Sequence, residues 1–144
     1  MNTTLPQRVS LIRRLAAILY DSLLLLSLLL IATILAVAAN HGQRIESNPF
    51  FSLYIYIVAY TFFGWFWTHG GQTLGMRAWR IHLRSRSGEA ISWFYAFIRF
   101  NGSIISWCCV GLGFLWVLID KQNNSWHDYM SKSQLVFYPK EETK

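Results

Sequence analysis

The chain has 144 residues and a formal net charge of +6, long enough for one ordinary domain. Hydrophobic residues make up 53% of it and charged residues only 14%, with the apolar residues gathered in long runs. That pattern excludes an ordinary soluble domain and argues against a nucleic-acid reader, which would show its basic groups on a soluble fold. The positive charge reads instead as membrane topology and contact with anionic lipid.

Residues 1–12 form a polar lead with Arg8, and residues 1–10 are expected to be poorly ordered. Arg13 and Arg14 mark a membrane surface. Residues 15–39 carry one charge, Asp21, and as a helix reach about 37 Å, enough to cross a bilayer core. Ala36-Val37-Ala38 resembles a signal-peptide cleavage site. The apolar run, however, is well beyond the ~7–15 residues of a signal core and contains Asp21, so helix 1 is expected to stay as an anchor. An ionised carboxylate in hydrocarbon costs ~2.5–3.5 kcal/mol on insertion scales, so Asp21 should face protein, water or a partner. Arg14, Ala17, Asp21, Leu24 and Leu28 share one helical face. Asn40-His41-Gly42 signals the helix end, and Asn48-Pro49 a turn into the next helix. Residues 50–68 form a second predicted span of about 28 Å, with Trp65 and Trp67 as interface anchors.

The interfacial segment 72–100 opens with Arg77, Arg80, Arg84 and Arg86 against Glu89 alone and has Arg99 near its end. Trp79, Ile81 and Leu83 alternate with Arg80, His82 and Arg84, a strand pattern, while Met76, Trp79 and Leu83 would also share a helical stripe. The alternation favours an extended or hairpin-like segment on the cytoplasmic leaflet, its four arginines touching anionic lipid. Residues 91–119 are too long for one straight crossing, about 43 Å. Residues 92–100 read as an amphipathic approach and 103–119 as the third span. A bent or re-entrant course at Gly111 and Gly113 is the alternative. The adjacent Cys108 and Cys109 read as small buried apolar residues. Residues 134–138 form a possible short strand, and 138–144 a charged tail.

The fold expected is an all-α membrane protein: three transmembrane helices with an interfacial basic segment between spans 2 and 3. Arginines crowd the N-terminus and the second loop, whereas the first loop has Arg44 alone. The positive-inside rule then puts the N-terminus in the cytoplasm. Three crossings put the tail outside, yet Lys121, Lys132, Lys140 and Lys144 argue weakly for inside. A re-entrant last segment would reconcile the two, and the tail's side stays open.

Arg14, Asp21, Arg99, Asp120, His127 and Asp128 are the candidate ligand- or ion-coupling residues. Arg99 is the expected partner of Asp21, because an Arg–carboxylate fork is the strongest neutralising pair available. Such a pair can be purely structural, or it can mark an ion pathway. Within His127-Asp128, local backbone bonding is favoured over an Asp that orients an imidazole. No HExxH, GxSxG or phosphate-binding glycine loop is present, and His41, His69, His82 and His127 lack metal-ligand spacing. The chain is therefore not expected to be an enzyme, and no metal or cofactor is implied.

Arg14, Ala17 and Asp21, spaced three and four apart, resemble the opening of the RDD family of small bacterial membrane proteins, named for an arginine and two aspartates. Gly71-Gln72-Thr73-Leu74-Gly75-Met76 is similar to that family's stretch after its second span. Trp126-His127-Asp128 is similar to its C-terminal His-Asp motif. The resemblance covers residues 13–136 and implies an RDD-like domain over 13–137 in a bacterial inner membrane. It also implies transport of ions or small ligands, a role proposed for the family. Three spans hardly enclose a pathway, so a homo-oligomer or a membrane partner would be required. A membrane assembly module with a structural ion pair is the competing expectation.

Overall fold

Ser10 is extended at φ −66° and ψ 152°, and the apolar run after it winds into α1 (Leu11–Ala39). The structure is a computed structural model that describes residues 7–43, 45 and 49–139. With 29 residues, α1 is about 43 Å long. It buries Arg14, Ala17, Asp21 and Ala32. Leu19, Leu23, Leu26, Leu30 and Ile34 are exposed, as suits a lipid-facing surface. His41 and Gly42 turn the chain out at φ 54° and 73°, and the Gly42 N–H donates to the Val37 carbonyl at 3.0 Å. Pro49 opens α2 (Pro49–His69), 21 residues and about 31 Å. These two helices are long and apolar enough to cross a membrane.

The basic segment is mixed. It begins as α3 (Leu74–Ala78), capped by Thr73, and continues as strand β2 (Ile81–Ser85). The strand alternation is real there: Ile81 and Leu83 are buried while Arg84 is exposed. The helical stripe fails at Trp79, which leaves α3 and stays exposed. Arg77, Arg80, Arg84 and Arg86 are all exposed. Arg86 lies over the Tyr129 ring at 4.7 Å.

The third apolar stretch departs from one span over 103–119. Helix α4 (Trp93–Cys108) starts ten residues earlier than that and is about 24 Å long, short of a bilayer core. Val110 and Gly111 then take φ 55° and 78°. The chain resumes as α5 (Leu112–Leu115) and a 3-10 turn (Trp116–Leu118), bent by 106° from α4. A third candidate span exists only if this bent pair counts as one. Cys108 ends α4 on an exposed face and Cys109 is only half-buried, so the expectation that both cysteines are buried fails.

The fold is mostly helical but not all-α. After α6 (Trp126–Met130), strand β3 (Ser133–Phe137) pairs antiparallel with β2, setting Ile81 against Phe137 and Ser85 against Ser133. On its other edge β3 pairs with β1 (Gln7–Arg8), so part of the lead is ordered, while residues 1–6 lie outside the described residues. The charged tail beyond residue 139, Arg44 and residues 46–48 also lie outside them. A three-stranded sheet of order β1-β3-β2 thus joins the lead, the basic segment and the C-terminal segment.

The core lies where this sheet meets the helices, with Val9, Ala17, Trp67, Ile81, Leu83 and Phe100 buried together. Tyr60 stacks edge-on to Trp93 and Phe97, and its hydroxyl donates to the Trp93 carbonyl at 3.0 Å, fastening α2 to α4.

Candidate functional site

Ser125 caps α6, and the Asp128 carboxylate reaches back to its backbone N–H at 2.9 Å, as the acid of a capping box does. The local-bonding expectation for Asp128 therefore holds, but it is only part of the residue's work. Arg14 Nη1 donates to Asp128 Oδ2 at 2.8 Å, and Arg99 Nη1 donates to Oδ1 at 2.5 Å. Arg14 Nη2 also donates to the Asn123 carbonyl at 2.5 Å, and Arg99 Nη1 to Ser133 Oγ at 2.9 Å. One carboxylate with no solvent exposure thus ties α1, α4 and α6 together beside the sheet.

Burial opposes the charge on Asp128, but the guanidiniums of Arg99 and Arg14 outweigh it and hold the carboxyl well below the usual carboxylate range. His127 goes the other way for a base. Burial first, then the Arg99 charge, pushes its imidazole down to about 3, so it is neutral at pH 7. Its Nε2 lies 2.8 Å from Ser125 Oγ. Asp128 does not act here as a carboxylate that charges the imidazole.

Asp21 is buried but is not paired with Arg99. It accepts hydrogen bonds from the Thr73 hydroxyl and, at 2.8 Å, from the Gly75 backbone N–H. This corrects the expected Asp21–Arg99 fork. The physical reason is that each charge finds a nearer solution. The N-terminal turn of α3 presents free N–H groups, which favour an anion, and α6 supplies Arg99 with its own carboxylate. Gly75 is needed for that approach, since a Cβ there would sit 2.8 Å from Asp21 Cγ. Gly71, at φ 66°, lets its carbonyl accept from the Leu83 N–H at 2.6 Å, and Gln72 Nε2 donates to the Ile81 carbonyl at 2.8 Å. The whole glycine-containing stretch is therefore a clamp that holds α3 and β2 against Asp21.

A cavity of about 310 Å³ lies between α1, α2 and α4, with His127 of α6 on its wall. Arg14, Asp21, Arg99 and His127 line its polar part, and Ile18, Leu25, Phe63, Phe100, Ile104 and Trp107 its apolar part. Arg14 Nε, Arg99 Nε and His127 Nδ1 are buried without a hydrogen-bond partner. Among the described residues, no three His, Cys, Asp or Glu side chains gather as a metal site.

Of the six candidates, five meet around this cavity or directly behind it. Asp120 does not. It accepts from the Asn124 N–H at 2.7 Å and the Tyr129 hydroxyl at 2.7 Å, bonds that hold its carboxyl below the ordinary range. It shapes the turn before α6. Sequence reasoning missed Thr73, Gly75, Asn123, Ser125 and Ser133. Ser125, three residues before Asp128, carried a capping-box signal, and Thr73 lay inside the glycine-containing stretch, but nothing local pointed to Asn123 or Ser133.

Two long apolar helices with a buried arginine–aspartate cluster at one end define an integral membrane protein. A model of the RDD family matches residues 8–132, and the chain belongs to the RDD family. No curated protein and no solved structure matches it.

Proposed function

We propose that the chain is a non-enzymatic transport component of a bacterial inner membrane, with the cavity as its ligand site and Asp21 as its ion-coupling carboxylate. The observation that carries this reading is the cavity itself. Its volume, about 310 Å³, is at the small end of the ~300–1,000 Å³ range of ligand pockets, and four ionisable side chains share its otherwise largely apolar wall. Ionisable groups in a membrane bundle are costly and mark substrate or ion pathways more often than not.

The shared sheet supports two crossings rather than three. Strands β1, β2 and β3 hydrogen-bond to one another, so they need one side of the bilayer. α1 and α2 cross out and back, and the bent α4–α5 pair turns back without crossing. The exposed Arg77, Arg80, Arg84 and Arg86 favour the cytoplasm for that side by the positive-inside rule and suit anionic lipid. A pathway through so small a bundle calls for a homo-oligomer or a membrane partner.

The test is proton movement into proteoliposomes holding a pH-sensitive dye under an imposed sodium or potassium gradient. Flux in the native protein that is lost in a folded Asp21→Asn variant is the expected result. One observation favours a structural assembly module instead: Asp128 is satisfied from three sides within the chain. Absent flux, or flux unchanged by Asp21→Asn, would establish that second reading.

A further inference from the structure

The cavity is rich in donors and poor in acceptors. Two guanidiniums converge on one carboxylate, Asp128, which leaves one positive charge uncompensated in the cluster. The neutral His127 does not change that count. Asp21 is the other acid on the wall, but Thr73 and Gly75 already donate to both its oxygens. The two serine hydroxyls on the wall bend back to their own helices. Ser22 Oγ donates to the Ile18 carbonyl at 2.7 Å, and Ser103 Oγ to the Arg99 carbonyl at 2.9 Å. Arg14 Nε and Arg99 Nε, on side chains about 95% buried, are left without acceptors. The surplus positive charge of Arg14 and Arg99, both on the cavity wall, favours an occupant that brings an anionic oxygen. His127 Nδ1 is the third buried polar atom without a partner on this wall, and most of the rest, including Ile18, Leu25, Phe63, Phe100 and Ile104, is apolar.

We propose that this cavity binds an amphiphilic anion, its carboxylate or phosphate head at Arg14 and Arg99 and a single short apolar tail along Phe63, Phe100, Ile104 and Trp107. A volume of about 310 Å³ admits one tail and not the two chains of a phospholipid. The inference rests on the cavity being the ligand site and does not depend on flux.

The probes are decanoate, decyltrimethylammonium and inorganic phosphate, and the measurement is equilibrium binding to the full chain in neutral-lipid nanodiscs. Saturable decanoate binding is expected, at least tenfold tighter than either other probe. Arg99→Gln and Ile104→Trp should each weaken it at least tenfold. The second variant fills the apolar wall without touching a charge, so it stays informative if Arg99→Gln fails to fold. Non-saturable binding, or binding unchanged in the folded variants, would mean simple partition into the bilayer and overturn the proposal. Equal or tighter binding of the ammonium probe would overturn it in favour of Asp21 as a counter-ion. Equal binding of phosphate would show that the apolar wall contributes nothing and overturn it too. Mass spectrometry of lipid extracted from the purified protein separates the two sources of such an anion. A co-purified single-chain acid means supply from the membrane, and its absence beside saturable decanoate binding means supply from water. Silent vesicles with saturable binding would remove the transport reading alone, and flux without decanoate binding would remove this inference alone.

Discussion

At Asp128 two arginines share one carboxylate that no solvent reaches. Removing the acid strands both cations, so Asp128→Ala is expected to cost ~3–5 kcal/mol. A double-mutant cycle on thermal stability in detergent should give ~0.5–3 kcal/mol of coupling between Asp128→Ala and Arg99→Leu, and clearly less between Asp21→Ala and Arg99→Leu. The reverse order would restore Asp21 as the partner of Arg99. His127 adds a pH dependence. Its ordinary value of 6.5 falls to about 3 in the folded chain. Between those values the unfolded chain binds a proton that the folded chain rejects, so stability rises with pH there. The contribution is complete above pH 6.5 and shrinks by up to ~1.4 kcal/mol per unit as the pH falls. Melting temperature measured from pH 7.5 to 4.5 should drop for the native chain and stay flatter in His127→Gln. Asp128 adds little to this window, because its loss sets in only as the pH nears the ordinary carboxylate value of 3.8. Equal slopes in the two proteins would mean that the imidazole is reached by water.

At the scale of the element, α3 has five residues, too few to hold a helix by its own hydrogen bonds, so its neighbours define it. Thr73 does two things at once: its oxygen accepts from the Met76 N–H at 3.1 Å, and its O–H donates to Asp21. Thr73→Val removes both bonds and is expected to cost ~1–3 kcal/mol, while Thr73→Ser keeps them. Gly75→Ala should be worse than either, since the added Cβ meets the Asp21 carboxylate at 2.8–2.9 Å. Tm of the three variants checks the order, and a Thr73→Val variant as stable as Thr73→Ser would show that Asp21 finds another donor. What was legible in the sequence follows the same physics. The long apolar runs of α1 and α2 gave those helices away, because hydropathy alone sets them. The alternation at Ile81 and Leu83, and the β-prone residues before Tyr138, pointed to the two longer strands. Their mutual pairing was not legible, since register between segments some fifty residues apart has no local signature. The partners of Asp21 and Arg99 were hidden for the same reason. Charge types limit which pairs are strong, but only the packing of α3 and α6 decides which are close.

At the scale of the whole molecule, the small sheet constrains everything the bilayer does. Gln7 pairs with Phe137, which also pairs with Ile81, so the lead, the basic segment and the C-terminal strand meet at one residue. Backbone hydrogen bonds cannot be made across a hydrocarbon core, and strands separated by it would leave their polar groups unpaired. If α1 and α2 each cross, β2 returns to the side of the bilayer that holds β1, where β3 pairs with both. The 106° bend after α4 then has to return β3 to the same face. Cysteine labelling in intact cells reads this directly. Cys108 and Cys109 are replaced by alanine first, because Cys108 is exposed and would give its own signal. Single cysteines then follow at His41, between α1 and α2, at Gly88, between β2 and α4, and at Tyr138, just past β3. An impermeant maleimide should label His41→Cys from outside, and Gly88→Cys and Tyr138→Cys only after the membrane is opened. Labelling of Tyr138→Cys from outside together with His41→Cys would make α4–α5 a true third span, and the β2–β3 ladder could not then exist in the membrane. Labelling of Gly88→Cys from outside would remove the arginine-based orientation instead and leave the sheet untouched.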